Sequence, residues 1–172
     1  VSRGLGDVYK RQQEDAALAH VSGASGGVLL LSGERTTALD MAGMGLNSAY
    51  IGADGQAVLS GSVKAGTQGY LFGGSGTLTV ACSLSGNHSL TVDTQGMGTA
   101  GCVILAADNS YSGETRILSG ASLAVGAGET AGTLGTGVVV NEGTLTFNRT
   151  DRVTAGNAIS GTGNLVQKGS GE

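Results

Sequence analysis

The chain is written in short apolar runs that alternate with hydroxyl residues and are punctuated by glycine. Thr77-Leu-Thr-Val80, Ser89-Leu-Thr-Val92 and Thr144-Leu-Thr-Phe147 each put aliphatic side chains on one side and Thr or Ser on the other. That alternation is the signature of a half-buried strand. Reading the whole chain this way predicts strands over Val28–Ser32, Ala49–Ile51, Ala57–Val63, Thr77–Leu84, Ser89–Asp93 and Cys102–Ala106. Further strands are predicted over Thr115–Leu118, Ser122–Val125, Gly137–Val140, Thr144–Phe147 and Gly163–Gln167. Gly, Asn and Asp lie between them, the residues that tolerate left-handed turns. No window carries a helical stripe longer than two turns; Ala16–Ala19 comes nearest and is too short to stand alone.

Many short strands suit an antiparallel sandwich as well as a stack. A long internal match separates the two. At one fixed displacement the chain matches itself without a gap: Phe72 falls on Phe147, Leu84-Ser-Gly86 on Ile159-Ser-Gly161, and Leu90 on Leu165. Val28-Leu-Leu30 falls on Val103-Ile-Leu105, and Leu59 on Leu134. A fixed long period built of short apolar runs marks a stacked repeat, in which each unit buries its face only against its neighbours. The expectation is an all-β chain, a parallel β-solenoid of roughly 20–25 residues per coil with about three coils per repeat. The first repeat covers about 26–100 and the second about 101–172, with 13–25 a poorly matched lead-in.

Composition sharpens this picture. There are 33 Gly, no Pro, no Trp, 40% hydrophobic and only 3% aromatic residues. Proline would delete ladder hydrogen bonds in strands paired on both edges, so its absence fits a continuous stack. No apolar run approaches the ~18 residues a membrane-spanning helix needs. The formal net charge is −4. Ser2–Gln12, SRGLGDVYKRQ, resembles the translated end of a transposon adapter used in preparing DNA for sequencing, and residues 1–12 are excluded from fold reasoning on that ground. Their removal takes away a net +2 and leaves −4 − 2 = −6 over the rest. The one basic cluster goes with them, which argues against a nucleic-acid partner. The chain also stops in mid-pattern at Lys168-Gly-Ser-Gly-Glu172 and reads as a piece of a longer protein.

Two segments carry a family resemblance. Asn109-Ser-Tyr111-Ser-Gly113-Glu-Thr115-Arg-Ile117-Leu-Ser-Gly120-Ala-Ser-Leu123 follows N-x-Y-x-G-x-T-x-I-x-x-G-x-x-L. Phe147-Asn-Arg-Thr-Asp151 then leads into Asn157-Ala-Ile-Ser-Gly-Thr-Gly163-Asn-Leu165-Val-Gln-Lys168-Gly-Ser-Gly171. Both resemble the passenger-associated repeat of Gram-negative autotransporters, over most of Gly26–Glu172 and best from Cys102 onward. The resemblance implies a right-handed parallel β-helix, exported through the outer membrane by a C-terminal translocator β-barrel of the same parent chain and displayed on the cell surface. It implies an adhesin-like structural stalk that aids export and display, with no membrane insertion by this segment. It brings no catalytic residue, cofactor or metal. Glu114 and Arg116 depart from positions often uncharged in that family, and Cys82 and Cys102 depart from passengers that usually avoid cysteine.

Candidate chemistry changes little. Gly96-Met-Gly98-Thr-Ala-Gly101 matches the dinucleotide fingerprint, but that mechanism needs a helix after the last glycine and the strand-like CVIL follows. Gly23-Ala-Ser25-Gly-Gly27 matches a nucleophile elbow without a following helix, and His88 is its only downstream histidine. His20 and His88 are isolated. Asp93, Asp108 and Asp151 are spread out, and Asp54 alone cannot supply the six or so oxygens that calcium takes. Asn87-His-Ser89 and Asn148-Arg-Thr150 fit the glycosylation sequon by coincidence. Tyr50, Tyr70 and Tyr111 are expected to pack at coil corners. Cys82 and Cys102 lie about one coil apart, so neighbouring rungs would permit a bridge. Alternation opposes it, turning Cys82 inward and Cys102 outward. The expectation is a non-enzymatic segment with no catalytic, cofactor or metal residues. The alternatives are a polysaccharide lyase-like enzyme, opposed by the sparse, scattered charge, and a direct adhesive module.

Overall fold

The computed structural model describes residues 27–97 and 101–171. Fourteen strands, and no helix, form among them. In chain order they are β1 (Val28–Arg35), β2 (Leu39–Asp40), β3 (Tyr50–Leu59), β4 (Val63–Lys64), β5 (Tyr70–Gly73), β6 (Thr77–Val80) and β7 (Leu90–Asp93). They continue with β8 (Cys102–Leu105), β9 (Thr115–Ile117), β10 (Ser122–Glu129), β11 (Val139–Asn141), β12 (Thr144–Arg149), β13 (Ile159–Ser160) and β14 (Asn164–Gln167). All the paired strands run parallel, and the chain winds as a β-solenoid of about six turns.

Each coil has two sheet faces and an irregular third side. The first face stacks the N-terminal half of β3 on β5, β7, β9, β11 and β13; the second stacks the C-terminal half of β3 on β6, β8, β10, β12 and β14. β1 pairs with β3 along both halves. The third side carries β2 and β4, then turns such as Leu84–Gly86, 107–112 and 133–136 that hydrogen-bond coil to coil. Tyr70 pairs with Leu90, and Leu90 in turn with Thr115. The step from each to the next is the coil length that the strand spacing predicts.

In-register pairing turns the alternating pattern into columns. Ala57, Leu78, Val103, Leu123 and Leu145 align and face the lumen, as do Leu59, Val80, Leu105 and Val125, all 2% exposed or less. Thr77, Thr79, Ser122, Thr144 and Thr146 occupy the intervening outward positions and are half-buried. Gly55, at φ 92°, stands in the middle of β3, between its pairings to the first and the second face. An L-residue at that angle is strained.

Predicted strands and observed ones coincide at most positions, with three kinds of difference. Ala49–Ile51 and the start of Ala57–Val63 are one continuous strand, β3, while Val63 opens the separate β4. Thr77–Leu84 stops at Val80, because Leu84 already belongs to the third side. β5, β2 and β13 were not anticipated: all four residues of β5 are buried, so no alternation marks it, and the other two are only two residues long.

The internal match has a structural reason that differs from three stacked coils. Three coils along one column run from Tyr70 through Leu90 and Thr115 to Val139. That advance is shorter than the one from Phe72 to Phe147 on which the match depends. The longer offset therefore carries each side onto the next: Phe72 and Leu90 of the first face fall on Phe147 and Leu165 of the second, and Leu84 of the third side on Ile159 of the first. All sides share one grammar of inward aliphatic and outward hydroxyl, which the match detects. Ser2–Gln12, Ala16–Ala19, His20, Gly23–Ser25 and 98–100 lie outside the described residues.

β14 is the outermost described rung: Leu165, aligned with Leu145 and Leu123, is 61% exposed, whereas they are 0% exposed. Leu123→Ala is therefore expected to lower stability by about 2–5 kcal/mol, the range for a leucine cut from a packed core. Leu165→Ala, in the same column, is expected to change it by no more than about 0.5 kcal/mol. Urea unfolding of the two variants against the parent checks the contrast.

Candidate functional site

Polar groups that sequence separates are gathered by winding at two places on the third side. The first is the turn Ala107–Thr115. The Asn109 side chain accepts from the Leu84 amide at 2.8 Å and donates to the carbonyls of Ala107 at 2.9 Å and Thr133 at 2.6 Å. It thus ties three successive coils together. Tyr111 is 0% exposed and its hydroxyl lies 2.7 Å from Thr115 Oγ1, a buried pair in which each hydroxyl satisfies the other. Burial pushes the Tyr111 phenol up from its ordinary pKa. Gly113 is required by space: a Cβ there would lie 2.5 Å from the His88 carbonyl oxygen.

Tyr70 completes an aromatic group with Tyr111, Phe72 and His88, at ring-centroid distances of 6.3, 6.2 and 5.8 Å. Its hydroxyl donates to Ser85 O at 2.9 Å and accepts from Ser85 N at 3.2 Å. Tyr70 opens β5 and Tyr111 lies in a third-side turn, both buried, while Tyr50 is half-buried opposite Val28. His88, read as isolated, is half-buried edge-on to Tyr70.

The second place is Arg149, at the end of β12 and only 7% exposed. Its guanidinium donates to Gly132 O at 2.7 Å, to Thr130 O, and to both oxygens of Asp151 at 2.9 and 2.8 Å. Asp108 stands 3.7 Å away. Asp108 and Asp151, read as spread out, are thus brought to one cation. The loop they enclose leaves the ladder where the β10–β12 register shifts after Val125, and it turns through Gly126, Gly128 and Gly132, all at positive φ. A planar donor fork satisfies carbonyls that the departing backbone leaves without ladder partners. The hydrogen bonds from Arg149 hold the Asp151 carboxyl below its ordinary value, and Asp151 in turn raises Arg149.

The remaining candidates stay apart. Asp54 is exposed beside Gly55, Asp93 lies in β7, and Asn87 accepts from the Ser112 hydroxyl at 3.0 Å. Asn148 is half-buried in β12. Gly96 (φ 71°) is followed, after 98–100, by the strand β8 and not by a helix. Gly27 leads directly into β1. Glu114 and Arg116 pair with each other at 2.7 Å on the outer side of the first face.

The two cysteines are free thiols. Cys102 pairs with Thr77, and Cys82 lies well beyond Thr77 along the same coil, past the end of β6. At about 3.3 Å per residue that separation exceeds the roughly 7 Å between Cα atoms that a disulfide tolerates. Burial pushes both thiols up, away from the reactive thiolate.

Among the described residues, no group of three or more His, Cys, Asp or Glu could hold a metal ion. A hollow of about 310 Å³ lies between the third-side segments 133–136 and 153–157, bordered by Val125, Leu134, Phe147, Val153, Ala155 and Gly156. No protein-family model, curated protein or solved structure matches the chain.

Sequence reasoning missed the Arg149 clasp; its trace is an arginine closing a strand just ahead of an aspartate, after a glycine-rich stretch. Arg149→Ala is expected to cost at least about 1–3 kcal/mol, because Thr130 O and Gly132 O lose their donor, and to speed amide exchange across 126–132. Arg149→Lys is expected to rescue only part of this, since an ammonium cannot span two carbonyls and a carboxylate. Asp151 has a folded pKa below its ordinary 3.8. Its contribution is therefore fully present above that value and lost as pH falls through the lowered folded one. Asp151→Asn should remove this acid-side slope from the stability profile, which a pH series of unfolding midpoints measures.

Proposed function

We propose that this chain is a structural, non-catalytic segment of the stalk of an autotransporter passenger, exported through the outer membrane by a translocator β-barrel of its parent protein and displayed at the cell surface. One observation carries the reading: the positions that define the resemblance have coil-building roles within a single coil. Asn109 ties neighbouring coils, Tyr111 and Thr115 close a buried hydroxyl pair, Gly113 fits under a carbonyl, Ile117 and Leu123 fill the lumen, and Gly120 turns at φ 82°. A motif of that kind encodes stacking, which suits a stalk whose work is to extend and to present.

The polar chemistry supports the same reading. Asp108 and Asp151 engage a buried arginine, and Glu114 engages Arg116. These contacts fix loops and strands in place. Sequential stacking also suits export, since each coil needs only its predecessor as a template.

The test is to recover the contiguous reading frame around this sequence. The expected frame continues through further coils into about a dozen amphipathic ten-residue strands, a membrane barrel. A frame without a barrel, flanked instead by charged, insertion-rich coils, overturns the stalk reading in favour of a secreted polysaccharide-active enzyme.

A further inference from the structure

Among the described residues, every aspartate but one is gripped. Asp40 accepts from the Gly43 amide, Asp93 from the Gln95 side chain, Asp108 from the Gly132 amide and Asp151 from Arg149. The Asp54 carboxyl takes no hydrogen bond among these residues. It also has a neighbour that the others lack. Asp40, Asp93, Asp108 and Asp151 precede Met41, Thr94, Asn109 and Arg152, whereas Asp54 precedes Gly55, and no described asparagine is followed by glycine. The place in the fold adds a third condition. Asp54, Gly55 and Gln56 are exposed at the corner where β3 passes from the first face to the second. The ladder to β1 lapses there: Leu31 pairs with Ala53 and Gly33 with Ala57, so three corner residues stand opposite Ser32 alone. A side chain at Gly55 would point into open space, so nothing on that side shields the peptide between Asp54 and Gly55.

We propose that Asp54-Gly55 is a site of covalent self-modification, at which the folded chain converts the aspartate to an isoaspartyl linkage through a cyclic imide. The Gly55 amide nitrogen attacks the side-chain carboxyl carbon of protonated Asp54. The new N–C bond forms as the C–OH bond breaks, and the amide proton and the hydroxyl leave as one water. A second water then opens the imide. Attack at the main-chain carbonyl breaks its bond to the Gly55 nitrogen and routes the backbone through the former side chain; attack at the other carbonyl restores aspartate. Water is the only co-reactant, and nothing is oxidised or reduced. An ungripped carboxyl beside an unbranched amide samples the required approach freely, which is the gain that proximity gives a ring closure. The product carries one extra carbon in the main chain. The unpaired corner has slack for it on the β1 side, but not on the other. Gly76 donates to Ala53 O at 2.9 Å, and a Cβ at Gly76 would lie 2.4 Å from the Gly55 carbonyl oxygen. The added atom therefore presses on the following coil at Gly76.

The test ages the full chain, folded, at mildly acidic pH in heavy-oxygen water, then digests it and reads each aspartate by mass spectrometry. Each imide opening adds one heavy oxygen, and enzymatic methylation of isoaspartate identifies the rearranged product. The expected result is heavy oxygen and isoaspartate at Asp54, at no less than about a tenth of the rate in the urea-unfolded chain. Asp93, Asp108 and Asp151 are expected to stay unlabelled, and the aged chain to show faster amide exchange at Gly76. Asp54→Glu, at an exposed position, requires a larger ring and is expected to lower labelling at this corner at least about tenfold. Labelling of Asp54 in urea but not in the folded chain overturns the proposal, because the fold would then hold the carboxyl away from the amide. Equal labelling of all the aspartates, or of the Asp54→Glu variant and its parent, also overturns it.

Discussion

In-register parallel pairing is the constraint on which everything else in this molecule rests. Strands stacked about 4.8 Å apart force every coil to repeat the choice made by the coil before it, aliphatic inward and small or hydroxyl outward. A departure at one rung is felt at both neighbours. The same closeness governs the turns: a Cβ at Gly135 would collide with the Tyr111 carbonyl oxygen, and one at Gly137 with that of Gly113. Glycine stands in this chain as much for the approach of one coil to the next as for the sharpness of a bend. Proline is excluded by the same logic, since interior strands use their amides on the ladder.

Where the chain must leave the ladder, polar side chains replace it. Asn109 supplies an acceptor and two donations at a corner where three coils meet, and Arg149 donates to two carbonyls of the 126–132 loop. Both are local answers to one requirement, that buried backbone groups find partners. A guanidinium this buried is stabilising only because Asp151 and the two carbonyls surround it; lacking them, its desolvation would dominate. Acidic residues that resemble site chemistry when counted along the sequence become, in space, parts of this structural bonding.

Alternation made the second face legible from sequence almost in full, because each of its strands presents one side to the lumen and the other to water. β5 escaped because Tyr70, Leu71, Phe72 and Gly73 are all buried, leaving no contrast to read. Contacts that depend on the exact winding were also out of reach. Asp108 and Arg149 belong to different coils, and coils differ in length, the step from Leu90 to Thr115 being longer than that from Tyr70 to Leu90. Spacing alone therefore does not bring the two together. The cysteines show the same limit: being about one coil apart suggested neighbouring rungs, but Cys102 opens a second-face strand and Cys82 lies beyond the end of one.

A stack of this kind gains cooperativity from its interior and none from its edges. Leu123 has a rung on both sides, while Leu165 has one, and their exposures of 0% and 61% follow from that alone. The free-energy gain of adding a coil is therefore located at the surface it covers. Gln167 moderates this, occupying a lumen position with an amide that turns back to the carbonyls of Gly169 and Gly171. Leu165, in the neighbouring column, has no such compensation. The asymmetry between these two columns is one of side-chain chemistry: at the outermost described rung a polar group can satisfy its own amide on nearby carbonyls, and an aliphatic one has no such recourse.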